Sequence, residues 1–216
     1  MGVAIPQLAP ASQDRVSGAQ VIDGSLKFDR SSSQNLSRTF SAGNQKTWTW
    51  SGWIKRNTFG TTQSLLLSGD TYIQYYSLTD TLYTNLRSAS TNYFINYANK
   101  YRDPSWYHVV VAVDTTEATS SNRQKVYVNG VQLIEAGGLG LNYPPQDENT
   151  AFNSAAVHYI GGTNYFDGAM SQVYFIDGQA LEPENFGFTD PLTNTCLLYT
   201  SPSPRDAHES RMPSSA

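Results

Sequence analysis

Trp106-Tyr107-His108-Val109-Val110-Val111-Ala112-Val113-Asp114 is followed, after the polar stretch Thr115 to Arg123, by Lys125-Val126-Tyr127-Val128-Asn129-Gly130 and then Val131-Gln132-Leu133. The first run holds four valines and neither Gly nor Pro. It suits a strand covered on both faces, because β-branched side chains pack well on a pleated surface. Asn129-Gly130 tolerates the φ > 0 conformations that both central residues of a type I′ turn require, so the second run is expected to turn back on itself as a two-residue hairpin.

The same pattern repeats on either side. Ser25-Leu26-Lys27-Phe28-Asp29 alternates, with Leu26 and Phe28 on one face, and Asn35 to Phe40 reads as a short edge strand. Thr47-Trp48-Thr49-Trp50-Ser51-Gly52-Trp53-Ile54-Lys55 places Trp48, Trp50, Gly52 and Ile54 on one face and Thr47, Thr49, Ser51 and Trp53 on the other. Three indoles so close together could form a sugar-stacking platform, but large rings in a central strand more commonly fill core, and core is the expectation. A meander follows through Gln63 to Ser68, Thr71 to Tyr76, Thr81 to Thr84 and Tyr93 to Tyr97. After a long Gly/Pro/Asn-containing loop from Gly137 to Asn149, strands are expected at Val157 to Gly162 and Ala169 to Ile176, then one helical turn at Leu181 to Phe186. Short strands separated by polar turns, with no helical period, indicate an antiparallel sandwich.

At 216 residues the chain has room for one such domain with a sizeable core. Tyrosines number 14 against nine phenylalanines and four tryptophans, and charged residues are only 15%. The net charge of −4 gives no basic patch to steer the chain to nucleic acid or an anionic membrane, so neither partner is expected. No run approaches the ~18 apolar residues of a membrane span. Met1-Gly2-Val3-Ala4-Ile5-Pro6 lacks the basic start of a secretory signal, and a soluble chain made inside a cell is expected. Residues 1–20, rich in Ala, Ser, Gln and Pro, read as an extended leader, with packing from Val21; the domain spans 21–190.

Four landmarks carry a family resemblance: Trp48 to Lys55, Trp106 to Val110 with Asp114, Val126-Tyr127-Val128-Asn129-Gly130, and Ile160-Gly161-Gly162 with Phe166-Asp167-Gly168 and Ala180-Leu181. In this order and spacing the chain from about Gly24 to Asp190 resembles the laminin-G-like, concanavalin-A-like lectin domains. The resemblance implies an all-β, antiparallel jelly-roll β-sandwich with a recognition or scaffold role. Ser17 to Leu26 and Phe175 to Leu181 further resemble modules of tail-fibre and other virion proteins of marine bacteriophages. That resemblance implies a virion location after synthesis in the host cytoplasm, with a glycan or other host-surface ligand and other virion proteins as partners. Many relatives have an acidic pair where this chain has Ser171 and Gln172, which puts any role of that pair in doubt.

The related fold also hosts glycoside hydrolases, whose acidic strand sets two carboxylates ~5 Å apart on one face. No such strand is present: Glu182-Pro183-Glu184 is broken by proline and Asp147-Glu148 lies in a loop. His108 and His158 sit in strands, outside any triad or metal-ligand spacing. A non-catalytic module with no catalytic residue and no required cofactor is therefore expected. The binding candidates are Tyr72, Tyr76, Asn85 and Tyr143. A structural Ca²⁺ needs only loop oxygens, and Asp70, Asn85, Asp114 and Asn129 could supply them, with Asp70 and Asp114 the metal candidates. Turn formation explains all four equally well. A structural virion domain that binds no sugar is the alternative reading, and a glycoside hydrolase the third.

The end of the chain reads differently. Cys196-Leu197-Leu198-Tyr199-Thr200-Ser201-Pro202-Ser203-Pro204-Arg205-Asp206 back-translates into a sequence similar to a transposase-type sequencing-library adapter, and Ser210 to Ala216 is similar to the translated distal end of that adapter. Cys196 to Ala216 is accordingly expected to be read-through and not part of the natural domain. Residues 191–195 would then begin a continuation that is missing here. Cys196 is the single cysteine, so no internal disulfide can form.

Overall fold

The computed structural model describes residues 24–88, 90–136, 141–190 and 195–198. The expected leader, Val21 and most of the adapter-like tail lie outside the described residues. In chain order the strands are β1 (Leu26–Phe28), β2 (Leu36–Thr39), β3 (Thr47–Arg56), β4 (Gln63–Ser68), β5 (Thr71–Tyr75), β6 (Thr81–Asn85) and β7 (Phe94–Lys100). They continue with β8 (Trp106–Asp114), β9 (Gln124–Val128), β10 (Val131–Gln132), β11 (Val157–Ile160), β12 (Gly168–Asp177), β13 (Gly187–Asp190) and β14 (Thr195–Leu198). Two six-stranded antiparallel sheets result, in the orders β1-β12-β3-β8-β9-β10 and β2-β11-β4-β5-β6-β7. β13 and β14 pair separately. The expected sandwich and meander are both present. Among the described residues no helix is long and apolar enough to cross a membrane.

β3 and β8 form the centre of the first sheet, paired without a break from Thr47↔Asp114 to Lys55↔Trp106. Trp48, Trp50 and Ile54 alternate inward, and so do Val109, Val111 and Val113, all within the buried cluster between the sheets. From the second sheet they meet Leu65, Leu66, Ile73, Tyr75, Leu82, Ile95 and Tyr97. Trp48, Trp50 and Trp53 are thus buried, as expected. Leu26 departs from its expectation: it shares a face with Phe28, yet it is 56% exposed because β1 is a short edge strand.

The other face of the β3–β8 pair is also buried, which explains the unbroken valine run. After β12 the chain crosses back over that face. Thr49 Oγ1 donates to Gln179 O at 2.7 Å and accepts from Leu181 N at 2.7 Å, and the Phe186 ring lies against His108. The expected helical turn here is a 3₁₀ turn, Pro183–Asn185. Asn129 and Gly130 have φ of +51° and +80°, the type I′ combination that the hairpin needs. Gly168 is required for space, since a Cβ there would lie 2.0 Å from Lys55 O.

The two lateral edges of the sandwich differ. At one, residues following β10 bond to β7, with Ala98 N to Ile134 O at 3.1 Å and Ala136 N to Asn96 O at 2.8 Å, so backbone seals the core. At the other, β1 and β2 leave an apolar cleft of about 460 Å³ lined by Leu26, Phe28, Leu36, Ile160, Met170 and Val173.

A buried ion pair ties the two sheets together. Asp80, 3% exposed, accepts from Arg56 Nη2 at 3.0 Å, Gly60 N at 2.8 Å and Arg102 Nε at 3.0 Å. Arg56 stacks over Phe59 and Tyr75. Burial alone would raise the Asp80 carboxyl, but these hydrogen bonds together outweigh burial and hold it below its ordinary value. Its contribution is therefore complete above the ordinary carboxylate range and is lost as pH falls through the depressed value. Asp80→Asn should cost about 3–5 kcal/mol in urea unfolding, because Arg56 is left as an uncompensated buried charge. Lys46→Ala, which removes an exposed pair with Asp147, should cost under about 1 kcal/mol.

Candidate functional site

The outward face of the second sheet is built from residues that alternate with its core positions. In one row of Cα partners Tyr159, Leu67, Tyr72, Asn85 and Phe94 run from β11 to β7. In the next, Ser64, Gln74, Tyr83 and Asn96 run from β4 to β7. Tyr76 extends the face beyond β5, its N–H bonded to Thr81 O. Tyr83 is the hub of the aromatic layer: its ring centroid lies 5.8 Å from Tyr72, 5.6 Å from Tyr76 and 6.1 Å from Phe94, with planes 23–32° apart. All four rings are partly exposed.

Beneath and between the rings sit amides. Asn85 Nδ2 donates to Asp70 O at 2.8 Å and Asn92 Oδ1 at 2.9 Å, which fixes the amide orientation and leaves buried Asn85 Oδ1 without a partner. Ser64 Oγ is buried and also lacks one. Gln74 Oε1 accepts from Asn164 Nδ2 at 3.5 Å, and Asn96 Oδ1 accepts from Thr81 Oγ1 at 2.7 Å. Burial raises the Tyr72 and Tyr83 hydroxyls above the ordinary tyrosine value, with Tyr72 adding to the shift at Tyr83. Both therefore remain protonated donors at neutral pH. Neither row contains Asp or Glu, so the face can bind through stacking and hydrogen bonds but holds no carboxylate for acid–base chemistry.

Of the binding candidates read from sequence, Tyr72, Tyr76 and Asn85 come together on this face. Tyr143 does not: it packs against the core from the loop after β10, and its hydroxyl donates to Glu135. Asp70 lies at the rim of the face, ion-paired with Arg87. Asp114 is in the other sheet, where its Oδ1 accepts from Thr116 N at 3.0 Å in a local turn. Asn129 Oδ1 accepts from His108 N, also in the first sheet. The four oxygen donors considered for calcium therefore do not converge, and among the described residues no three His, Cys, Asp or Glu side chains form a metal-binding group.

Ser171 and Gln172 sit at a bulge in β12, where Ser171 Oγ donates to Gly24 O and Tyr174 donates to Gln172. Lys125 pairs with Glu182 on the crossing segment. The long loop is pinned by Asp147 N to Thr115 O at 2.8 Å. Sequence reasoning missed Tyr83, Phe94, Gln74 and Asn96. The usable signal was the alternation of Tyr, Gln and Asn with Ile, Leu and Tyr at the core positions of β5 to β7.

Comparison with known proteins follows this geometry. A family profile described as the concanavalin A-like lectin/glucanases superfamily matches residues 28–185. Among solved structures, a protein from Bacteroides ovatus provisionally named as carbohydrate binding is 16% identical with a TM-score of 0.52. The match covers 85% of this chain and 52% of that one, so the chain spans about half the length of that protein. An SAP-like pentraxin from Limulus polyphemus is 20% identical, covering 68% and 70% at a TM-score of 0.46. The sialyllactose-bound CBM40 of a Ruminococcus gnavus sialidase is 16% identical, covering 65% and 90% at 0.42. No curated protein matches the sequence.

One chemically suggestive pair lies away from the face. Ser51 Oγ and His108 Nε2 are 2.9 Å apart, brought together across β3 and β8 although 57 residues separate them in sequence. Both are buried beneath the segment that follows β12. Burial pushes the His108 imidazole down to about 4, and burial also lowers His158. A depressed histidine contributes stability that is complete above its unfolded value and is lost as pH falls toward the folded one. Unfolding free energy should therefore decline between pH 6.5 and 4 through His108, with a slope of up to about 1.4 kcal/mol per pH unit, and His158 adds a decline of the same sign below the ordinary histidine value. A His108 NMR titration midpoint above pH 6 would contradict the buried pair.

Proposed function

We propose, for a chain that belongs to the concanavalin A-like lectin/glucanase superfamily, that it is a non-catalytic recognition module which binds glycan through the outward face of the second sheet. The observation that carries this reading is the layer of Tyr72, Tyr76, Tyr83 and Phe94 over Asn85, Gln74 and Asn96. Aromatic rings pack on the apolar faces of pyranoses while neighbouring amides hydrogen-bond the hydroxyls, and this face offers the rings beside the partly exposed Asn96 amide, with Asn85 and Gln74 buried below. The carbohydrate-binding description of the Bacteroides ovatus protein points the same way, and its similarity establishes a shared fold alone.

The biological setting that we propose is a phage virion protein of tail-fibre type, made in the host cytoplasm, with a host-surface glycan as ligand. What supports it is the resemblance carried by Ser17 to Leu26 and Phe175 to Leu181. A second reading, in which the domain joins virion parts and binds no sugar, is favoured by the apolar cleft between β1 and β2. A pull-down against purified virion components separates the two. Release of reducing ends from polysaccharides would instead point to a hydrolase.

We also hold that Cys196 to Ala216 lies outside the natural domain. The pairing of β14 with β13 is compatible with this, because ladder bonds are made by main-chain groups that any non-proline sequence supplies. Resequencing the source DNA with a different library chemistry should give a different continuation after Thr195. A frame that still encodes Cys196 to Ala216 overturns the assignment.

The binding reading predicts that Tyr83→Ala weakens glycan binding by about tenfold or more, roughly 1.4 kcal/mol. Its melting temperature should stay within about 4 °C of the parent, since the ring is partly exposed and outside the core cluster. Calorimetric titration and thermal melts check the two halves. Undiminished binding by Tyr83→Ala would move the site elsewhere.

A further inference from the structure

We infer that this face selects neutral saccharides over acidic ones. The inference rests on the glycan-binding reading above and adds a ligand class to it. Neither outward row contains a Lys, Arg, Asp or Glu. The charges at the border do not alter this. At one end Arg87 is ion-paired with Asp70, so its cation is matched at the rim. At the other, Lys100 pairs with Thr81 beyond a register shift, past the Tyr83–Asn96 row, and its side chain is exposed to water.

A carboxylate or sulfate seated on the Tyr72 and Phe94 rings, at the end away from Lys100, would lose hydration and gain no cation in return, and stripping an unpaired anion of water is far more costly than stripping a hydroxyl. The chain's net charge of −4 adds a weak general repulsion. Neutral sugar hydroxyls meet the opposite situation. They both donate and accept, and the hydroxyls of the partly exposed Tyr72, Tyr76 and Tyr83 do the same, with the partly exposed Asn96 amide as a further donor, while Asn85 and Gln74 lie buried beneath them.

The test presents the full chain with immobilised neutral oligosaccharides (lactose, and short glucans, galactans and mannans) beside sialylated, sulfated and uronate-containing counterparts. Binding is measured at about 50 mM and about 500 mM NaCl, where screening separates ionic from neutral contacts. The expected result is binding confined to the neutral set, changed less than about twofold by salt, and weakened about tenfold or more by both Tyr83→Ala and Tyr72→Ala. Equal or tighter binding to the acidic counterparts, or an affinity that falls about tenfold with salt, overturns the inference. If such acidic binding is still lost in Tyr83→Ala, the glycan-binding reading stands and only the neutral selectivity falls. Binding to none of these glycans takes both down.

Discussion

Everything in this domain is arranged around a strand pair that is buried on both faces. β3 and β8 share nine consecutive residue pairs, with Trp48, Trp50, Val109, Val111 and Val113 directed inward and Thr49, Ser51, Trp53, Val110 and His108 directed outward. Such a pair needs two covers. The second sheet supplies one, and the chain after β12 supplies the other by crossing back through Gln179, Leu181 and Phe186. That second cover has a functional effect. It occupies the outer face of the first sheet at its centre, whereas the outer face of the second sheet keeps Tyr72, Tyr76, Tyr83, Phe94 and Asn96 partly exposed.

The tyrosines show how one residue type serves two purposes at a spacing of a single residue. Tyr75 and Tyr97 point inward and are fully buried, and burial raises both hydroxyls. Tyr97 still finds Gln124 as a donor across the core at 3.1 Å, a polar contact that helps set how the sheets sit on each other. Tyr72, Tyr76 and Tyr83 point outward and build the aromatic layer. A shift of one residue in the pairing of β5 would exchange the two sets, so register carries both the fold and the surface. Tyr75 is also held from outside the sheet, by the Arg56 guanidinium over its ring at 4.2 Å.

Much of the fold was legible because its signals are local. The valine run, the Asn129-Gly130 turn and the alternation around Trp50 each depend on a few adjacent residues, and each is found where expected. The Arg56–Asp80 pair and the crossing of Leu181 over Thr49 were not legible, since they join residues 24 and 132 positions apart and no short pattern announces them. The candidate site was half legible for the same reason. Tyr72, Tyr76 and Asn85 stood out as a cluster in the chain, whereas Tyr83, Gln74 and Asn96 join them only through strand register. Tyr143 looked equivalent in sequence, but the loop that carries it folds inward.

The open edge of the sandwich has a further consequence. Among the described residues β1 and β2, which border it, are three and four residues long, and an edge this short is a poor template for another chain to extend. The opposite edge is already occupied by the domain's own backbone at Ala98 and Ala136. A protein with both margins blunted in this way can be crowded against many copies of itself without strand exchange joining neighbours into a continuous sheet.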